Sequence, residues 1–183
     1  MSERSDKIKG FFEFLWKLDR KGFAELRRSL SNGPGMDMKA IRYVEQFAAN
    51  EPRAWNSQMY YLASGLFCLV ERPLEQGSSV PTPRESNLGE NIARLYLDKE
   101  KSGSIEHRFV RLLDADEEQL TDRLRQMVTL LHANDITIGW EQLLFDLCIW
   151  HNEKRQTQHR WAKSFYLKSA PEPQALETPG GNT

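Results

Sequence analysis

Apolar residues recur along the chain at intervals of three and four, which is the spacing of one face of an α-helix. The clearest run alternates steps of four and three and consists of Trp55, Met59, Leu62, Leu66 and Leu69. Their neighbours are also largely apolar, so we expect a central core helix that is buried on nearly all sides. No stretch of useful length alternates apolar and polar residues as a half-buried strand does. The sequence therefore predicts an all-α fold of about nine helices and no sheet.

Proline and short polar residues predict where several of these helices begin. Pro52 suits the first turn of the fourth helix, because its missing N–H would have no partner there in any case. Asp114 or Asp116 is expected to cap the helix that follows them, and Thr137 the next one.

The segment 73–87 contains three prolines and no helical spacing. A loop of this length is either mobile or functional, and it is the best candidate for a boundary. We therefore predict two small packed helical lobes, at 1–73 and 88–168, joined by a Pro/Ser-rich loop at 74–87. Residues 169–183 are rich in Pro, Gly, Glu and Thr, and we expect a disordered tail.

The charge balance argues against a free-standing nucleic-acid binder. The 183 residues include 25 Lys and Arg against 26 Asp and Glu, a formal net charge of −1. A high-affinity binder of that class usually has a pI above about 9. The charge is uneven, however, because residues 1–73 hold 12 basic against 9 acidic side chains and residues 151–168 hold five against one. A local basic surface is compatible with this distribution.

Cysteine usage and hydropathy indicate a cytoplasmic protein. Cys68 and Cys148 lie in apolar helical stretches, where we expect small buried hydrophobic residues in a reducing compartment. Residues 1–7 lead into no long apolar segment, so no signal peptide is expected. No apolar run approaches the roughly 18 residues that a membrane-spanning helix needs.

The usual catalytic motifs do not occur in the sequence. It has no glycine-rich phosphate loop, no Gly-x-Ser-x-Gly and no His-Glu-x-x-His. Cys148 and His151 are three residues apart, but two ligands do not make a zinc site. The acidic residues 114–118 are compatible with a divalent cation, although helix capping is their more ordinary role. We expect no catalytic residue, no metal and no cofactor.

Basic residues are more informative, because several are predicted to lie on polar helix faces. These residues are Arg27, Arg28, Arg108, Arg111, Arg160 and Lys163. Arg160 and Lys163 in particular are expected to face away from the apolar side of the last helix. Such rows either solvate a helix or follow a phosphate backbone. The five tryptophans mostly lie on apolar stripes, so we expect core packing and not base stacking.

Seven segments, in order, resemble one family: AELRR (24–28), YVEQF (43–47), NLGENIARL (87–95), SIEHRFVRLLDAD (104–116), LRQMV (124–128), WEQLLFDLCIW (140–150) and RWAKSFY (160–166). With this spacing the chain resembles the CasB family, the small subunit of the type I-E CRISPR Cascade complex. The resemblance extends from about residue 10 to residue 167. No single motif is diagnostic, but the ordered set is fairly specific.

The resemblance implies a two-lobed helical protein without enzymatic activity. Two copies would lie head to tail along the guide-RNA-bearing backbone, beside the large subunit. The family contacts the target and displaced DNA strands without sequence specificity and helps to stabilise the R-loop. The implied partners are therefore the backbone and large subunits, a second copy of the chain, and guide RNA with target DNA.

The resemblance also assigns roles to basic residues. The paired arginines after the first helix are matched by Arg27 and Arg28, and other basic positions by Arg53 and Arg108. Further commonly basic positions are matched by Arg125, Lys154 and Arg155. With the helix-face residues Arg111, Arg160 and Lys163, these make up the predicted nucleic-acid-binding set.

One feature departs from this pattern, because residues 114–118 are more acidic than a DNA-facing surface usually is. A purely structural helical adaptor, whose arginines meet acidic partner proteins, is the main alternative. A metal-dependent nuclease that uses Asp114 and Asp116 is a third and more remote hypothesis.

Overall fold

The computed structural model describes residues 3–170, and every regular element in that range is an α-helix. The predicted all-α class with about nine helices is confirmed, because the described range contains nine. They are α1 (Glu3–Trp16), α2 (Arg20–Ser29), α3 (Met38–Ala48), α4 (Ala54–Val70), α5 (Leu88–Asp98), α6 (Gly103–Leu113), α7 (Glu117–His132), α8 (Trp140–Cys148) and α9 (Gln156–Ser169).

Helix α4 lies at the centre of the packing, in contact with α2, α3, α7 and α8. It is covered on several sides because its apolar residues point in all directions, and Tyr60, Leu66 and Phe67 are completely buried. Fully burying a large apolar side chain stabilises the fold by roughly 1.5–3 kcal/mol. Gly65 lets α2 approach closely, because a Cβ there would lie 2.6 Å from the Leu30 side chain. The predicted central core helix is confirmed.

Two predicted helix starts are wrong by a few residues. Helix α4 begins at Ala54 with Arg53 as its N-cap, so Pro52 precedes the helix and does not occupy its first turn. The N-cap of α8 is Gly139, and Thr137 lies before it. Position 139 must be glycine, because a Cβ there would lie 2.4 Å from the Ser86 carbonyl oxygen.

The acidic start of α7 was predicted correctly. The Asp116 carboxylate accepts a hydrogen bond from the Gln119 backbone N–H at 2.9 Å, which satisfies one of the free donors of the first turn. Asp114 has a different position, because it is the C-cap residue of α6.

The connection between α4 and α5, residues 71–87, contains no helix and is fixed to the start of α8 near both of its ends. Near its beginning, Glu71 accepts a hydrogen bond from the Trp140 indole N–H at 3.0 Å. Near its end, the carbonyl groups of Arg84 and Ser86 pack against Gly139. The loop is therefore held against the core at these two points.

Helices α5, α6, α7 and α9 pack among themselves, as do α2, α3 and α4. Helix α4 joins the two groups through its contact with α7, α8 packs on α1 and α4, and the buried apolar residues form one continuous core. The lobe boundary at 74–87 stays a prediction. Helix α9 extends to Ser169, and the predicted tail lies outside the described residues beyond position 170.

The tryptophans and cysteines lie largely in the core, as predicted. Trp140, Trp150 and Trp161 are buried, and both cysteines are buried free thiols. Burial raises the pKa of the Cys148 thiol to about 11, so the thiol is protonated and unreactive at neutral pH. Among the helices of residues 3–170, none is long and apolar enough to cross a membrane.

Candidate nucleic-acid interface

Helices α6 and α7 enclose a surface groove of about 490 Å³ that brings three arginines together. Arg108 and Arg111 lie three residues apart on the exposed side of α6, opposite its buried apolar face. Arg123 enters the groove from α7. Glu118 and Asp122 also line it, so the charged side chains of the groove sum to +1. A guanidinium group in such a groove can bind phosphate oxygens with two parallel hydrogen bonds.

Arg123 was not predicted as a site residue. Its guanidinium donates to the Arg111 backbone carbonyl near the end of α6, where carbonyl groups lack helical partners. The sequence places Arg123 on the polar side of α7 but does not say which part of that side faces α6. Only the packing of the two helices brings it beside Arg108 and Arg111.

Arg155 reaches the same end of α6 from the turn between α8 and α9. Its Nη2 atom donates to the Leu113 carbonyl at 2.7 Å and lies 3.3 Å from the Asp114 carboxylate. In the same turn, His151 Nε2 lies 3.2 Å from the Glu117 carboxylate at the start of α7. The turn is thus attached to the α6–α7 connection by the Arg155 ion pair and by the His151 contact.

Arg53 and Lys154 flank this attachment. Trp55, two residues after Arg53, donates its indole N–H to the Leu147 carbonyl at 2.8 Å. Its ring packs edge-on against His151, with ring centroids 4.1 Å apart. Arg53 and Lys154 are both exposed. The first turn of α4, the α8–α9 turn and the end of α6 therefore bring predicted basic residues from three segments into one region.

Arg27 and Arg28 lie elsewhere, in the last turn of α2. Both are exposed, and Arg28 Nε donates to the Ala24 carbonyl at 3.1 Å. Arg27 lies near enough to Cys68, close to the end of α4, for its charge to act on the thiol pKa. Cys68 is 15 residues beyond Arg53, so Cys68 and Arg53 are roughly 22 Å apart along α4. Neither arginine of α2 lines the α6–α7 groove.

Arg125 and Lys163 are exposed and isolated. Arg125 lies on α7 but does not line the groove, and Lys163 lies on the outer side of α9. Neither forms an ion pair with another residue in the range 3–170. Both are available to an external anion.

The expectation that Arg160 faces away from the apolar side of the last helix is wrong, because its side chain forms an ion pair with the buried Asp146 of α8. Asp146 is fully buried, and its carboxylate also accepts hydrogen bonds from the Trp161 indole N–H at 2.5 Å and from Gln142 at 2.7 Å. Burial raises the pKa of Asp146, while the hydrogen bond from Trp161 and the charge of Arg160 oppose that rise. Arg160 therefore compensates a core carboxylate.

Other basic residues are likewise engaged within the fold. Arg42 pairs with Glu25, which also accepts a hydrogen bond from Tyr43 at 2.7 Å, and these contacts lower the pKa of Glu25. Lys7 donates to Glu51 at 2.6 Å. Within the described part of the chain, no cluster of three His, Cys, Asp or Glu residues is arranged to hold a metal ion.

Comparison with known proteins identifies the family. The family described as CRISPR-associated protein Cse2 matches residues 22–166. A CRISPR-associated protein Cse2 of Thermus thermophilus is 34% identical over 159 residues, which cover 86% of this chain and 83% of that protein. The crystal structure of M. ruber CasB is 37% identical, with a TM-score of 0.75 over 88% of this chain and 93% of that one.

A chain of a CRISPR RNA-guided surveillance complex in its pre-nicking state has the same fold. Its TM-score is 0.74 at 20% identity, over 90% of this chain and 94% of that one. The resemblance to CasB that the sequence indicates is thus confirmed at the level of family and fold. Because the family match spans most of its length, the chain belongs to the Cse2 family of CRISPR-associated proteins.

Proposed function

We propose that this protein is the non-catalytic small subunit of a type I-E CRISPR surveillance complex, Cascade, and that it stabilises the R-loop by contacting DNA phosphates. Membership of the Cse2 family supports the place in the complex. The observation that carries the DNA role is the groove in which Arg108, Arg111 and Arg123 lie together on a nearly neutral protein.

Modest phosphate contacts are sufficient for this role. R-loop formation replaces DNA pairing with RNA–DNA pairing of similar stability, so small additional contacts decide the balance. A subunit that its neighbours hold beside the DNA acts at high effective concentration. The net charge of −1 is then no obstacle, because the assembled complex, and not the free subunit, supplies the affinity.

The proposed contact surface runs from the α6–α7 groove to the start of α4. It begins at Arg108 and Arg111, passes the end of α6 at Arg155, and reaches Lys154 and Arg53. Phosphate contacts of this kind fix position without reading sequence. The separate pair at the end of α2 would meet a different part of the nucleic acid.

The proposed protein partners are the backbone and large subunits and a second copy of this chain. Asp114 and Asp116, on which a metal-dependent nuclease would depend, are engaged by Arg155 and by the Gln119 N–H. The acidic segment thus has a structural role of its own, which supports the non-catalytic proposal.

Charge reversal tests the proposal. In reconstituted Cascade, Arg27→Glu, Arg28→Glu and Arg108→Glu together are expected to shorten the lifetime of the R-loop. The slope of log affinity against log salt should fall by about one for each phosphate that the variant no longer neutralises. Filter binding or single-molecule R-loop lifetimes at several salt concentrations measure both quantities.

The matched control reverses three other exposed basic residues, Lys17, Lys39 and Lys101, which change the net charge equally. The control complex should keep a salt slope close to that of the wild type. If the first variant assembles normally and its R-loop is as stable as that of the wild type, the DNA role is wrong.

The adaptor alternative is favoured by one observation. Met36 and Met38 are 75% and 80% exposed beside a groove that also contains Ile41 and Tyr61, a composition suited to a protein partner. An adaptor predicts that the Arg27, Arg28 and Arg108 reversals disturb assembly of the complex, while salt-dependent DNA binding by the complexes that do form is unchanged.

A further inference from the structure

The turn between α8 and α9 carries exposed basic residues and packs against the acidic α6–α7 connection. Arg155 contacts the Asp114 carboxylate, and His151 contacts the Glu117 carboxylate. These acidic residues are the ones that make the sequence less basic than a DNA-facing surface usually is. The positions of Asp114 and Glu117 therefore affect how the neighbouring basic residues of the turn can bind DNA.

The backbone conformation of the turn fixes the position of Arg155. Arg155 has a φ of +48°, in the left-handed region that residues with a Cβ rarely occupy. Its backbone N–H donates to the Asn152 carbonyl at 2.8 Å, and the Lys154 N–H donates to the Asn152 side chain at 2.9 Å. The direction of the Arg155 side chain is thus set by a tight turn and by the Leu113 carbonyl.

A carboxylate and a phosphate compete for the same guanidinium group. Both are anionic oxygen ligands, and both form charge-assisted hydrogen bonds with arginine. The side chains of Arg155 and Asp114 are 52% and 64% exposed, so their ion pair lies at the surface and is weak enough to open. A phosphate that approaches Arg155 must also overcome repulsion from Asp114.

We propose that Asp114 is an intramolecular counterion of Arg155 that competes with DNA phosphates. In the free subunit the carboxylate neutralises the arginine. When the complex places a DNA strand against the turn, the phosphate displaces Asp114, while Leu113 continues to position the guanidinium. This inference rests on the proposed function, since it concerns the same DNA-contacting surface.

The other acidic residues nearby have different tasks. Asp116 caps α7, Glu117 contacts His151, and Glu118 lines the α6–α7 groove. Within residues 3–170, Asp114 is the acidic residue that pairs with a predicted DNA-contacting arginine on this exposed surface. Replacing it by asparagine keeps the shape of the α6 C-cap and removes only the charge.

The test uses reconstituted Cascade that carries Asp114→Asn, Arg155→Ala or both. Asp114→Asn is expected to tighten target DNA binding by about two- to fivefold, the range of exposed ion pairs, and to increase the salt slope by up to about one. In the Arg155→Ala background, Asp114→Asn should have no further effect beyond that of the matched control. That control is Asp135→Asn, the same charge change at an exposed position beyond the other end of α7.

Three results would overturn the inference: no gain from Asp114→Asn, an equal gain from Asp135→Asn, or a gain that persists without Arg155. Thermal melting of each variant confirms that the fold is intact. Failure of the proposed function is separable, because the Arg27, Arg28 and Arg108 reversals would then leave DNA binding unchanged.

Discussion

Replacing Gly89 with alanine is expected to destabilise the protein by about 3 kcal/mol or more, at the upper end of the cost of overpacking a core. Gly89 lies in the first turn of α5, where the backbones of α5 and α9 nearly touch. A Cβ at this position would lie 2.1 Å from the Trp161 carbonyl oxygen and 2.8 Å from its Cα. A backbone cannot rotate aside as a flexible side chain can, so the two helices would have to separate.

Thermal unfolding measures this effect. For a chain of this size, each kcal/mol shifts Tm by roughly 2–4 °C, so Gly89→Ala should lower Tm by about 6–12 °C. The matched control is Gly10→Ala in α1, where a Cβ would meet nothing within 4 Å and alanine favours the helix. A Gly89→Ala protein that melts with the wild type would contradict the described packing of α5 on α9.

Removing the Arg160 side chain is the second large change. Arg160→Ala leaves the fully buried Asp146 carboxylate without its cation. Breaking a buried pair from one side costs about 3–5 kcal/mol. Because the Arg160 side chain is 39% exposed, and its pairing is partly screened by solvent, we expect about 2–3 kcal/mol at pH 8. The neighbouring exposed Lys163→Ala should change stability by no more than about 0.5 kcal/mol.

The destabilisation should depend on pH in a definite direction. Burial already raises the pKa of Asp146, and removing the charge of Arg160 raises it further. A carboxyl group whose pKa is raised by folding favours the folded state at low pH, and that advantage disappears as pH rises through the folded-state pKa. The destabilisation by Arg160→Ala should therefore be smaller near pH 4 than at pH 8. Equal destabilisation in denaturant melts at both values would contradict a buried, ionised Asp146.

Local patterns were sufficient to predict the fold class and the central helix. The apolar stripe from Trp55 to Leu69 predicts an α-helix, because a period near 3.6 fits no other regular structure. The Asp116 cap was equally local, since it depends on a side chain and an N–H three residues apart. Predictions of this kind need no knowledge of the tertiary packing.

The errors have tertiary causes. Thr137 is a suitable N-cap residue in isolation, but α8 begins at Trp140 with Gly139 as its N-cap, where the carbonyl groups of Arg84 and Ser86 leave no room for a side chain. Arg160 was assigned to the solvent because nothing local reveals a carboxylate on a neighbouring helix. Arg123 was missed for the same reason, since its value to the site depends on how α7 packs beside α6.

The most direct test of DNA contact is crosslinking from within the α6–α7 groove. Gln126 lines the groove without contributing charge, so a photoreactive amino acid at this position leaves Arg108, Arg111 and Arg123 in place. In Cascade bound to a target duplex with differently labelled strands, we expect crosslinks to one of the two DNA strands. The same group at the exposed Gln46 of α3 serves as the control. Crosslinks from position 126 to protein subunits alone, in complexes with a complete R-loop, would contradict the proposed DNA contact.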